Sequence, residues 1–132
     1  MTTVLPAPST LNFLAGLFAG AGINMLTSVS TGPPASTVST GKLALDSTLW
    51  MVAAGFLTWA AHLLQAAERE ADLYIDRDFS EAEKQEIRQE YLRRALRRAR
   101  LPLCLTLLAF LGAVLLLPGL IRWEHLLGVL VN

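Results

Sequence analysis

Few residues in this chain could carry chemistry, and they stand apart from one another. The 132 residues include two histidines and one cysteine. His62, in LTWAAHLLQA, is the one imidazole inside an apolar run. A neutral ring nitrogen there could ligate a haem iron or a chlorophyll magnesium, or simply hydrogen-bond a neighbouring helix. His125 is expected on the opposite side of the molecule, so a single copy cannot offer one cofactor two histidines. Asp46 has Lys42 four residues earlier, a spacing that suits a solvated cap or an i,i+4 ion pair. Cys104 cannot form an intrachain disulfide and reads as a small buried hydrophobe. No nucleophile–base pair, metal-ligand cluster, phosphate loop or dinucleotide fingerprint is present. The expectation is a non-enzyme with no catalytic residue, no metal and no cofactor, and with lipid as its most general ligand.

The densest chemical signal is basic. Arg93, Arg94, Arg97, Arg98 and Arg100 fall within eight positions and run straight into LPLCLTLLAF. Nucleic-acid recognition asks for a net basic surface. Here residues 68–83 hold seven acids against two bases, and 84–100 hold seven bases against two acids. Such a segment can fold on itself as a hairpin, with the acidic arm (Glu68, Glu70, Asp72) beside the returning basic arm. Glu68 and Glu70 are then expected level with Arg97–Arg100, and basic side chains left over would meet anionic headgroups. Ser80 and Glu83 match a capping box, which predicts a helix from Glu81 to about Arg100 after a turn at 76–79.

A second constellation is apolar. Asn12, Gly16, Gly20 and Asn24 follow at i+4, one ridge of a helix that contains GLFAG. Small residues let a second backbone approach closely, and asparagine amides can hydrogen-bond across the contact. The ridge could pack against the chain's own helices or against another chain.

The elements that position these residues follow from where charge is missing. Only Lys42, Asp46, Arg122 and Glu124 lie outside 68–100 among the 22 charged residues. Three long runs, 11–29, 43–66 and 101–121, approach or exceed the roughly 20 residues that cross a hydrocarbon core. The fold class is therefore all-α: an integral membrane protein of three transmembrane helices with a charged helical hairpin at 67–100. Glycine and asparagine make the first run the weakest, and a broken or re-entrant helix is its alternative. Pro118-Gly119 should stop the third near Leu117, leaving 122–131 as a short interfacial helix. Trp50 and Trp123 are expected at the outer interface and Trp59 against a neighbouring helix.

Lys and Arg counts place the 67–100 loop and the N-terminus on the cytoplasmic side, and the C-terminus outside. The N-terminal stretch lacks the basic region of a cleaved signal peptide. Two functional classes fit. One is a non-catalytic accessory or assembly subunit of a larger membrane complex. The other is a homo-oligomer that forms or gates a pore, in the manner of holins or membrane-acting defence effectors; a membrane immunity protein would share its features. Partners in either case are other membrane subunits or copies of itself, together with anionic lipids and no nucleic acid.

Overall fold

The structure, a computed structural model, describes residues 7–31, 40–75 and 78–120. It is all-helical: α1 (Pro8–Thr31), α2 (Thr40–Tyr74) and α3 (Glu81–Leu120). All three are long and apolar enough to cross a membrane. Pro8 opens α1, at the position where a missing N–H costs nothing. Ala7 O accepts from Thr10 N at 2.9 Å and Leu11 N at 3.2 Å. The broken helix that glycine and asparagine offered as an alternative for α1 does not occur. Its glycines all keep negative φ, and the helix runs through them. Hydroxyls inside the apolar stretches bond the preceding turn of their own helix, as Thr27 Oγ1 does to Ile23 O, Thr58 Oγ1 to Ala54 O and Thr106 Oγ1 to Pro102 O. A polar side chain in an apolar helix is thus satisfied locally.

The second and third helices are longer than the apolar runs within them. At 1.5 Å per residue, the 35 residues of α2 extend about 52 Å and the 40 of α3 about 60 Å. The acidic arm is the continuation of α2. The basic arm is the first half of α3, which passes through Pro102 without ending. Pro102 is fully buried and has no N–H to donate to Arg98 O, so the helix continues with one hydrogen bond fewer. The expected stop near Leu117 is also overrun, because α3 reaches Leu120. The region assigned to an interfacial helix, 122–131, lies outside the described residues, as do Trp123 and His125.

α2 is the middle helix, with α1 on one side and α3 on the other. Its contact with α3 is a seam of small side chains. Ala53, Leu57, Ala60, Leu64, Ala67 and Ala71 on α2 are buried, and so are Ala95, Ala99, Pro102, Thr106, Ala109 and Ala113 on α3. Both series are spaced 4-3-4-3-4, the 3.5-residue repeat that keeps one stripe facing a partner helix. Alanine at most of these positions lets the two backbones close on each other, so attraction comes from dispersion over a long contact. The first helix docks through Leu11, Ala15 and Gly22. Ser47 Oγ donates to Gly22 O at 2.6 Å across that contact. One aromatic cluster joins all three helices: Phe18 and Phe110 stack at 5.5 Å, and the Trp50 ring meets both edge-on at 5.0 and 5.6 Å.

Trp50 is half-buried in that cluster. Two side chains depart from the sequence reading. Trp59 is 46% exposed, and its ring pairs with Phe56 of its own helix, with centroids 6.5 Å apart. Cys104 is exposed, because its position on α3 falls between two members of the buried seam, Pro102 and Thr106.

Candidate functional site

Two surfaces collect the chemistry-bearing residues, and the contact face of α1 is the first. Asn12, Gly16, Gly20 and Asn24 are all exposed. A Cβ built on Gly16 or Gly20 would meet nothing within 4 Å. The glycine used inside the bundle is Gly22, where a Cβ would lie 2.7 Å from Met51 Cγ and 3.0 Å from Ser47 O. The ridge therefore stands beside the internal contact and takes no part in it.

The second surface lies along the charged half of the α2–α3 hairpin. Asp72 Oδ1 accepts from Arg88 Nη2 at 3.0 Å and Nε at 3.2 Å, the one ion pair between the arms among the described residues. Both side chains are more than half exposed, so the pair is worth about 0.2–1 kcal/mol and sets register more than stability. Together with Leu49 against Gly112, it fixes an antiparallel register. The expected match of Glu68 and Glu70 with Arg97–Arg100 is not made. Glu68 stands near Leu92, and Glu70 near Tyr91 and Arg94. The offset arises because α3 starts beyond the tip of α2. Its basic half consequently overlaps the apolar part of α2, with Arg94–Arg100 level with residues 60–67.

The five arginines divide between two faces. Arg93 and Arg97 stand among α3 residues, with Glu86, Gln89 and Glu90, and are exposed, as is Arg100. Arg94 and Arg98 flank a groove of about 140 Å³ with Glu70, Tyr91, Leu63, Ala66, Ala67 and Ala95. Arg94 pairs with Glu90 one turn earlier on its own helix. The other four have no carboxylate within ion-pairing distance among the described residues.

The capping box is formed as the sequence suggests. Ser80 N and Oγ donate to Glu83 Oε2 at 2.8 and 2.7 Å, and Glu83 N donates to Ser80 Oγ at 3.4 Å. The Ser80 hydroxyl, then the Ser80 amide, holds the Glu83 carboxyl below its ordinary value of 4.5. Glu81 is lowered too, by its hydrogen bond and charge contact with Lys84.

The isolated candidates separate. His62 is exposed on α2. Among the described residues no three of His, Cys, Asp and Glu lie close enough to hold a metal ion. Asp46 is neither a solvated cap nor an ion-pair partner of Lys42: it is 0% exposed while Lys42 is exposed. The 4-3 spacing that makes the α2 seam extends back through Trp50 to Asp46, which carries the side chain inward. Among the described residues neither carboxylate oxygen has a hydrogen-bond partner, nor does Trp50 Nε1. The missed signal was in that spacing: alanine counts as apolar on every face, so the small-residue repeat is visible only when positions are read in sevens. Compared with known proteins, the chain matches no family model, no curated protein and no solved structure.

Proposed function

We propose that the chain is a multi-pass membrane protein without catalytic activity, acting as an accessory or assembly subunit of a larger membrane complex. The charged hairpin and the N-terminus lie on the cytoplasmic side, the C-terminus lies outside, and the outward arginines lie among anionic headgroups. The observation that carries the reading is the open ridge of α1. A Cβ on Gly16 or Gly20 meets nothing within 4 Å among the described residues, while Gly22 is the α1 glycine in close contact with α2. In a lipid environment a small-residue ridge flanked by asparagines is favoured where another helix covers it, because the amides then gain partners.

Leucine at both Gly16 and Gly20 separates this reading from a structural one. The variant is expected to insert and fold as the native chain does, since neither side chain meets anything in the bundle. Native mass spectrometry after detergent extraction should show partner subunits with the native chain and their loss from the variant. Retention of all partners by the variant would overturn the reading. A ring of identical chains in place of foreign subunits would move the same ridge to the homo-oligomeric class.

A further inference from the structure

We infer that the groove between α2 and α3 is a binding site for one phospholipid of single negative charge and hydroxyl-bearing headgroup. Its phosphate sits at Arg98 and Arg94, and an acyl chain lies along Trp59 and Leu101. The inference rests on the chain being membrane-embedded; it does not rest on the accessory-subunit role.

The order of side chains along the groove is that of an amphiphile. Trp59, Leu63, Ala66 and Glu70 follow at 4-3-4 spacing on α2, and Arg94, Arg98, Leu101 and Leu105 do so on α3. Each set is one helical ridge; Leu63, Ala66, Glu70, Arg94 and Arg98 of these ridges line the groove, and Ala67 and Ala95 of the buried seam form its floor. From the apolar end, the first pair is Trp59 and Leu101, 46% and 60% exposed. Next come Arg98 beside Leu63, Arg94 beside Ala66 and Ala67, and finally Tyr91 and Glu70.

Acyl chain, phosphate and polar headgroup meet matching neighbours in that sequence. Of the two arginines that line the groove, Arg98 is the one nearer the apolar end in sequence, and it has no carboxylate within ion-pairing distance among the described residues. A planar guanidinium can bind a phosphodiester through two parallel hydrogen bonds. The register explains the location. Because the basic half of α3 overlaps the apolar part of α2, these arginines stand where hydrocarbon gives way to phosphate, and basic pockets between helices at that level hold lipid headgroups.

Charge selects among lipids. Arg94 is already shared with Glu90, and Glu70 closes the polar end. A second phosphate there would face the Glu70 carboxylate, whereas headgroup hydroxyls could donate to it. The site thus fits a single phosphodiester carrying a neutral polyol. It lies on the side of the hairpin turned away from α1, clear of the glycine ridge.

The test uses the full chain in neutral detergent, with phosphatidylglycerol or phosphatidylcholine brominated in the acyl chains as quenchers of tryptophan fluorescence. Phosphatidylglycerol should quench at about fivefold lower mole fraction, the preference that one basic contact provides. Arg98→Gln should remove that preference, and Arg98→Lys should keep part of it. Arg93→Gln, on the outward face, should keep most of it. Trp59→Phe should lose the quenching specific to phosphatidylglycerol. Glycerol 3-phosphate in solution should not displace the lipid.

Equal quenching by the two lipids overturns the site. So does an Arg98→Gln variant that behaves as the native chain, or an Arg93→Gln variant as impaired as Arg98→Gln, which would indicate diffuse attraction. Displacement by glycerol 3-phosphate would also overturn it, leaving a simple anion site. Release of the protein from native membranes by alkaline carbonate would instead refute the membrane-embedded reading, whatever the micelle result.

Discussion

Gly20 and Gly22 lie two residues apart on α1, yet a methyl group on each should have different consequences. At Gly22 the new Cβ would press on the backbone oxygen of Ser47 as well as on Met51, and the short Ser47–Gly22 hydrogen bond leaves α1 little room to retreat. Gly22→Ala is expected to cost about 1–3 kcal/mol, the usual range for overpacking, while Gly20→Ala should be neutral or slightly stabilising. Thermal unfolding in detergent, followed by tryptophan fluorescence, would show the contrast directly. Asp46 makes the opposite kind of prediction. Its carboxylate is buried with no hydrogen bond at either oxygen among the described residues. Removing a buried, unsatisfied polar group relieves a desolvation cost of about 1–3 kcal/mol. Asp46→Leu should therefore unfold at the same temperature as the native chain or higher. Lower stability would reveal a stabilising partner for the carboxylate; unchanged stability with lost activity in cells would mark Asp46 as a residue kept for function.

The helices were partly legible in the sequence, and their failures have one cause. Runs with at most one charge located all three apolar stretches, and Ser80 with Glu83 located the start of α3, since a capping box depends only on neighbours. What was not legible was continuity. The turn from apolar to charged sequence at Ala67 and at Arg100 resembles an element boundary, but the seam repeat continues through both points, from Leu64 to Ala71 and from Ala95 to Pro102. Buried contact across the seam outweighs the single hydrogen bond that Pro102 withdraws. The same repeat is why the arms pair at Asp72 and Arg88 and not nearer the apolar stretches. The cap itself should respond to acid. Both Glu83 and Glu81 are held below 4.5 in the folded chain, so their contribution is complete above that pH and is lost as pH falls through their lowered values. Amide exchange in the first turn of α3 should be insensitive to this effect above pH 4.5 and speed up below it relative to the middle of the helix. In Glu83→Gln the acid-dependent part of that change should shrink.

At the scale of the molecule, the middle position of α2 follows from its having two buried faces where α1 needs only one. Such an arrangement could not be read from hydropathy, because all three runs look alike in composition. The proposed orientation rests on the uneven distribution of Lys and Arg alone, and it has a direct check. A cysteine placed at Ser36, in the connection between α1 and α2, should react in intact cells with a reagent that does not cross membranes. One placed at Gln85, exposed on the first turns of α3, should stay unlabelled until the cells are opened. Labelling of Gln85→Cys in intact cells would invert the topology proposed above.

The alanine seam between α2 and α3 also behaves as a vernier. A contact built from near-identical small side chains every seven residues fits almost as well when one helix slides by a full repeat, about 10 Å along the axis. Its alanines do little to distinguish one setting from the next. The distinction is made by larger groups: the Trp50–Phe110 and Leu49–Gly112 contacts toward one end and the Asp72–Arg88 pair toward the other. The seam keeps the two helices together, and these marks set how far along each other they lie.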